Sequence, residues 1–235
     1  EDNIIKLEEE LQAREEFVGA FAHELKTPLT SIIGYADMLR SRKLDEEKSF
    51  MSANYIYTEG KRLEAMSFRL LDIIVTKRGE VDLQMIPAEL FFVYLRDMFG
   101  ADATMTYRFR HEPAMVRAES NLIKTVLVNL VDNARKASEV GGVIVVEGYW
   151  TESGYCFAVR DRGVGIPEEE QMKITQAFYM VDKSRARSKN GAGLGLALCA
   201  EILRQHESRL KIASIPGEST TISFVLAAEE QETVG

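Results

Sequence analysis

The first forty residues constrain the fold more than any other stretch. Between Glu1 and Arg42, Ile4, Leu7, Leu11, Val18, Phe21 and Leu25 fall alternately three and four apart, with Arg14 interrupting the seam. Such spacing lays a narrow apolar stripe along one long helix, the signature of a coiled coil or bundle. A charged turn, Ser41-Arg42-Lys43-Leu44, leads to Asp45, Glu46 and Glu47, which supply a cap and an acidic first turn for a second helix. That helix carries Ile56, Leu63, Met66, Leu70 and Ile73 and is expected to stop at Lys77-Arg78-Gly79. An antiparallel hairpin has one layer of contacts and leaves much of both stripes wet. A second copy is the most economical cover, so a homodimeric four-helix bundle is expected. Packing of the stripes on the rest of the same chain is the alternative, and the length of the first helix argues against it.

From about residue 80 the pattern becomes mixed. Val143 to Tyr149 and Tyr155 to Arg160 read as strands joined at Glu152-Ser153-Gly154, and Leu210 to Ile215 and Thr220 to Leu226 as strands joined across Pro216-Gly217-Glu218. Helices are expected at Asn121 to Ala137 and at about Leu196 to His206. Strand hairpins with helices between them indicate an α+β sandwich and not a parallel dinucleotide-binding sheet. The tail from Glu229 to Gly235 reads as disordered.

Composition excludes several classes. With 29 Lys+Arg against 37 Asp+Glu, the net charge of −8 offers no general field for a polyanion, so no nucleic-acid partner is expected and phosphate chemistry must be local. The two cysteines, Cys156 and Cys199, form no CxxC pair and read as reduced core thiols of a cytoplasmic protein. No apolar run approaches the roughly 18 residues that span a bilayer. The chain does not begin with Met, which suggests a piece of something longer; membrane contact is expected only through such an upstream segment. His111 and His206 lie outside any motif and are expected at the surface.

Four clusters carry chemistry. In Phe21-Ala22-His23-Glu24-Leu25-Lys26-Thr27-Pro28-Leu29, Pro28 interrupts a helical stretch and should bend it beside His23. An imidazole next to Glu24 has the makings of a nucleophile whose ring proton the carboxylate accepts, and Thr27 shares the His23 face. In Asn129-Leu130-Val131-Asp132-Asn133-Ala134-Arg135-Lys136, helical spacing places Asn129, Asn133 and Lys136 along one edge of an apolar stripe. Amide oxygens suit Mg²⁺, and a lysine one turn on can meet the phosphate it bridges. Asp161-Arg162-Gly163-Val164-Gly165 follows a strand, where Asp161 could accept from an exocyclic amine and Gly163 and Gly165 let the backbone approach a flat ring. Gly191-Ala192-Gly193-Leu194-Gly195-Leu196 opens a helix whose free N–H groups suit phosphate, behind a cationic stretch containing Lys183 and Arg185. Taken singly, each cluster also fits a bland reading: a surface histidine, a solvated helix edge, a glycine turn, a solvated loop.

Together the four motifs, in this order, closely resemble those of the sensor histidine kinases of two-component signalling. His23 to Leu29 resembles the phosphoacceptor box, Asn129 to Lys136 the Asn box, and the two glycine clusters the glycine boxes. The resemblance implies a dimerisation and histidine-phosphotransfer domain at 1–79 and a Bergerat-type catalytic ATP-binding domain at 80–235, in the cytoplasmic portion of a sensor that a membrane segment could anchor. It implies ATP-dependent phosphorylation of His23 with Glu24 as general base, then transfer to an Asp of a response-regulator receiver domain. It implies Mg²⁺ on Asn133 and Asn129, phosphate contact by Lys136, adenine reading by Asp161, lid residues Lys183 and Arg185, and a role for Thr27 in dephosphorylating the regulator. Where the family has a Phe-x-Pro-Phe box the chain reads Thr175-Gln176-Ala177-Phe178, so a weakened hydrophobic hinge under the lid is expected. A kinase-deficient phosphatase or scaffold, and a related ATPase of the same nucleotide-binding fold, are the alternatives.

Overall fold

The computed structural model describes residues 2–78, 81–181 and 193–230, with side chains over 18–67, 81–181 and 193–230. The chain forms two compact units, residues 1–72 with 176–194, and residues 73–175 with 195–235.

Helices α1 (Asp2–Ser41) and α2 (Glu46–Arg78) form where the spacing and the acidic turn expect them. Asp45 caps α2: its carboxylate accepts from the Lys48 N–H at 2.8 Å and its carbonyl from the Ser49 N–H at 2.9 Å. Tyr35 stacks on Tyr55 with ring centroids 4.6 Å apart, and Glu24 pairs with Arg62, so the two helices run antiparallel. Pro28 lies buried within α1, which continues through it unbroken. Val18, Leu29, Ile33, Phe50 and Tyr57 are at least half exposed, an apolar face that the hairpin itself leaves uncovered. The seam residues Ile4, Leu7, Leu11, Arg14, Leu70 and Ile73 have side chains outside the described residues.

The second unit holds β1 (Gln84–Pro87), α3 (Glu89–Phe99), β2 (Thr106–His111), β3 (Met115–Ala118), α4 (Ser120–Ala137), β4 (Val143–Thr151), β5 (Gly154–Asp161), α5 (Glu168–Gln171), α6 (Gly195–Gln205), β6 (Lys211–Ile215), β7 (Ser219–Leu226) and β8 (Ala228–Glu229). A five-stranded sheet runs β2-β4-β5-β7-β6, with β2 parallel to β4 and every other pair antiparallel. A smaller sheet runs β1-β3-β8. This is the expected α+β architecture, with both expected hairpins present.

The core lies between one sheet face and the apolar sides of α3, α4 and α6, where Phe91, Leu95, Ile123, Leu127, Leu130 and Ile202 are fully buried. Phe157 organises it, stacked on Phe224 at 5.3 Å and on Phe92 at 5.8 Å and edge-on to Phe91 at 5.8 Å. Each such ring contributes about 1.5–3 kcal/mol through burial. Gly148 makes room for them, since a Cβ there would strike the Tyr155 hydroxyl and come within 2.7 Å of the Phe92 ring. Cys156 and Cys199 are buried in the core, as expected, with the Cys199 Sγ 3.8 Å from the Val126 carbonyl.

Three expectations change. Glu229, at the start of the tail expected to be disordered, is instead ordered: with Ala228 it pairs with Met115 and Val116 as β8, an edge strand too short to leave a pattern, while residues 231–235 lie outside the described residues. His206 is buried and not a surface residue. Its Nδ1 lies 2.8 Å from the Ile202 carbonyl and its Nε2 accepts from the Glu119 N–H at 3.1 Å, so the ring is neutral with the proton on Nδ1. His111 is half-buried and stacks on Phe92 at 4.6 Å.

Burial lowers the His206 pKa below its ordinary 6.5. The unfolded chain then takes up the proton first, so the contribution is complete above pH 6.5 and is lost as the pH falls below it. In urea titrations, His206→Gln should cost about 1–2 kcal/mol at pH 8. The gap between variant and wild type should narrow towards pH 5; a constant gap would refute the neutral-ring assignment.

Candidate functional site

Successive helical residues point about 100° apart, and α1 uses this to split His23 from Glu24. The His23 side chain is 68% exposed and that of Glu24 only 7%, with His23 Nδ1 3.8 Å from Glu24 Oε1. A neutral ring held this way keeps its outer nitrogen open to an electrophile while a carboxylate waits beside the other. Thr27 lies one turn on, half-buried, with its hydroxyl 3.5 Å from the His23 carbonyl. Two residues that sequence reasoning missed complete the network. Arg62 Nη2 stands 3.6 Å from Glu24 Oε2, and Arg62 Nη1 stands 3.6 Å from Glu59 Oε2. Their place opposite Glu24 follows from the hairpin register, which the turn sets and no local motif announces.

In the second unit, Glu119 caps α4 by accepting the Leu122 N–H at 2.6 Å. The expected stripe of Ile123, Val126, Leu127, Leu130 and Ala134 is buried, and Asn129, Asn133 and Lys136 lie half-buried along its edge. The Asn129 Nδ2 donates to the Thr125 carbonyl at 2.9 Å, so its amide nitrogen is engaged by its own helix. Asp132, inside the same motif, pairs with Lys136 and Arg135 at 2.6 Å each. Burial works to raise its pKa, and the two cations together outweigh that and hold the carboxyl below the usual range. Those i,i+3 and i,i+4 spacings are visible in the sequence, where nothing marks them as part of a site.

Asp161 ends β5, 4% exposed. Its Oδ1 accepts the Gly163 N–H at 2.8 Å, yet burial pushes its pKa up to about 6. A withdrawn acceptor with one neutral donor suits a ligand N–H. The loop lies against the end of α4: Val164 N–H donates to the Ala137 carbonyl at 3.3 Å, and a Cβ on Gly163 would come within 2.5 Å of that oxygen. Gly165 has φ +67°, and a Cβ there would strike the Ile215 carbonyl. These glycines are therefore required by the chain's own backbone, which brings Asp161 beside the Asn129 to Lys136 helix.

Gly195 and Leu196 begin α6, while Gly193 and Leu194 belong to the first unit. Gly193 has φ +66° and its carbonyl accepts the Phe178 N–H at 2.8 Å. Phe178 is buried with φ +65°, and its ring lies 5.9 Å from that of Phe21 in the same unit. Lys183, Arg185 and Gly191 lie outside the described residues. Among the described residues no group of three or more His, Cys, Asp or Glu is placed to hold a metal.

An exposed histidine above a buried carboxylate on a helical hairpin, followed by an α+β domain with a ligand-ready aspartate, defines a phosphoacceptor module joined to a nucleotide-binding one. The family model for the His Kinase A (phospho-acceptor) domain matches residues 13–73, and that for the histidine kinase-, DNA gyrase B-, and HSP90-like ATPase matches residues 118–230. The sensor histidine kinase YkoH of Bacillus subtilis is 31% identical over 93% of this chain and 48% of its own length. The sensor histidine kinase WalK of the same organism is 30% identical over 94% of this chain and 38% of its own. The histidine kinase ThkA, solved in complex with the response regulator protein TrrA, superposes with a TM-score of 0.73 at 23% identity over 94% of this chain and 66% of that one. The histidine kinase AdeS of Acinetobacter baumannii superposes at 0.64 with 17% identity, over 87% and 97%. The chain belongs to the sensor histidine kinases, spanning less than half the length of these curated relatives. No helix among the described residues is long and apolar enough to cross a membrane.

The raised pKa of Asp161 makes the ligand-free domain less stable at neutral pH than it would be with a neutral side chain, a deficit that fades as the pH falls through about 6. Asp161→Asn should raise the thermal midpoint at pH 8 by roughly 2–6 °C and abolish binding of a fluorescent ATP analogue. In the wild-type protein, affinity for that analogue should fall as the pH drops through about 6. A variant that binds normally would exclude Asp161 from the nucleotide site.

Proposed function

We propose that this chain is a protein-histidine kinase that phosphorylates His23 from ATP and passes the phosphoryl group to an aspartate of a response-regulator receiver domain. The observation that carries the reading is the pairing of an exposed His23 with a buried Glu24 on a hairpin with an uncovered apolar face. Residues 1–79 form the dimerising phosphotransfer domain and 80–235 the catalytic domain. A second copy of the chain covers the face bearing Leu29 and Ile33.

The His23 Nε2 lone pair attacks the γ-phosphorus, the bond to the ADP oxygen breaks, and the Nδ1 proton passes to Glu24, leaving an uncharged ring that bears the anionic phosphoryl group on Nε2. Such transfer needs little covalent help, so positioning and charge neutralisation dominate. Asp161 accepts the adenine amine, and Asn129 and Asn133 would supply amide oxygen ligands for a Mg²⁺ ion, which would contribute charge neutralisation at the phosphates. Lys136 exchanges part of its hold on Asp132 for phosphate. Gly191, Gly193, Leu194, Gly195 and Leu196 form the phosphate loop, and Lys183 and Arg185 the lid. The Thr27 hydroxyl, one turn from His23, orients water in dephosphorylation of the regulator. The relative ThkA, solved with its response regulator TrrA, supports the choice of partner class.

With γ-labelled ATP and Mg²⁺, the wild-type protein should acquire acid-labile label and His23→Gln none; label retained in that variant would overturn the His23 assignment. Asn133→Asp should weaken Mg·ATP binding about tenfold or more without unfolding the chain, and unchanged affinity would remove it from the ligand set. Ile33→Glu should shift the sedimenting species from dimer to monomer. A persistent dimer would place the interface elsewhere.

A further inference from the structure

Glu24 is buried, and a carboxylate taken out of water beside a reacting group needs a counter-charge to hold its place. Nothing on α1 supplies one: among the described residues, the cation within ion-pair reach of Glu24, apart from His23 itself when protonated, is Arg62 on α2. The Arg62 side chain is 9% exposed, so its charge is withdrawn from water almost as far as that of Glu24. Its two terminal nitrogens divide the work. Nη2 faces Glu24 Oε2 at 3.6 Å and Nη1 faces Glu59 Oε2 at 3.6 Å. The other Glu24 oxygen, Oε1, is the one directed at His23 Nδ1. Glu59 stands one helical turn before Arg62, and its Oε2 is buried with no hydrogen bond.

We propose that Arg62 is a positioning residue for phosphorylation of His23. It grips one oxygen of Glu24 so that the other is presented to the imidazole, and Glu59 anchors the guanidinium from its own helix. Arg62 touches neither the ring nor the nucleotide and acts through Glu24. The inference rests on the reading of His23 as phosphoacceptor and Glu24 as its base. It adds that the placement of this base is set across the hairpin, from α2.

Four variants of the full chain test this: Arg62→Met, Arg62→Lys, Glu24→Gln and the double variant Arg62→Met/Glu24→Gln, with folding followed by circular dichroism. Initial rates of labelling give kcat and the KM for ATP. Arg62→Met should lower kcat about 10- to 100-fold, the scale of a misplaced catalytic group, with KM within about twofold because the nucleotide is held elsewhere. Arg62→Lys keeps the charge and should recover part of the loss. In the Glu24→Gln background, Arg62→Met should add no further loss, since its effect passes through the carboxylate. A folded Arg62→Met with wild-type kcat, or one whose loss multiplies with that of Glu24→Gln, overturns the proposal. Should Arg62→Met not fold, Arg62→Lys decides: a reduced kcat at unchanged KM supports the proposal, and wild-type kcat overturns it. Label persisting in His23→Gln would defeat the underlying reading, whereas a labelled wild type with an indifferent Arg62 defeats only this one.

Discussion

A carboxylate withdrawn from water must be answered by a charge or a hydrogen bond, and two such groups organise this molecule. Glu24 is answered within the hairpin by Arg62, which itself is shared with Glu59. Asp161 is answered in part, by one backbone N–H, and its raised pKa records the shortfall. The difference separates two tasks. Glu24, proposed as the base for His23, is partnered by a side-chain cation, whereas Asp161, proposed to read adenine, meets one backbone N–H.

The remaining architecture serves these two positions. The apolar seam builds α1 as one long helix, and helical periodicity alone turns His23 outward and Glu24 inward. In the second unit, the aromatic cluster around Phe157 fixes α3 and the sheet, while the contact of Gly163 with the end of α4 brings the Asp161 loop to the Asn129 to Lys136 edge. His206 ties the end of α6 to the cap of α4, so the helix of the candidate metal ligands is held at its first turn by a neutral imidazole.

Much of this was legible in the sequence. The three-four spacing announces α1, the Asp45 cap announces the start of α2, and the turns at Glu152-Ser153 and Pro216-Gly217 announce the two hairpins. The four motifs stand in order because each depends on residues close together in the chain. What escaped depends on residues far apart. Arg62 becomes meaningful only opposite Glu24, and His206 only once α6 lies beside Glu119. The two-residue strand β8 is stabilised by pairing with β3 and carries no pattern of its own. Strand β2, by contrast, alternates Tyr107, Phe109 and His111 inward with Arg108 and Arg110 outward, a period of two that is present in the sequence itself.

The cost carried by Asp161 also bears on how such a chain drifts. At a buried position with one neutral donor, an amide or an aliphatic side chain would leave the empty domain more stable, and most neutral change would run towards such residues. A lineage that ceased to bind nucleotide would be free to take that gain. Under the adenine-reading role proposed for it, the acid at position 161 is the residue expected to erode first if the second unit were kept for its shape alone.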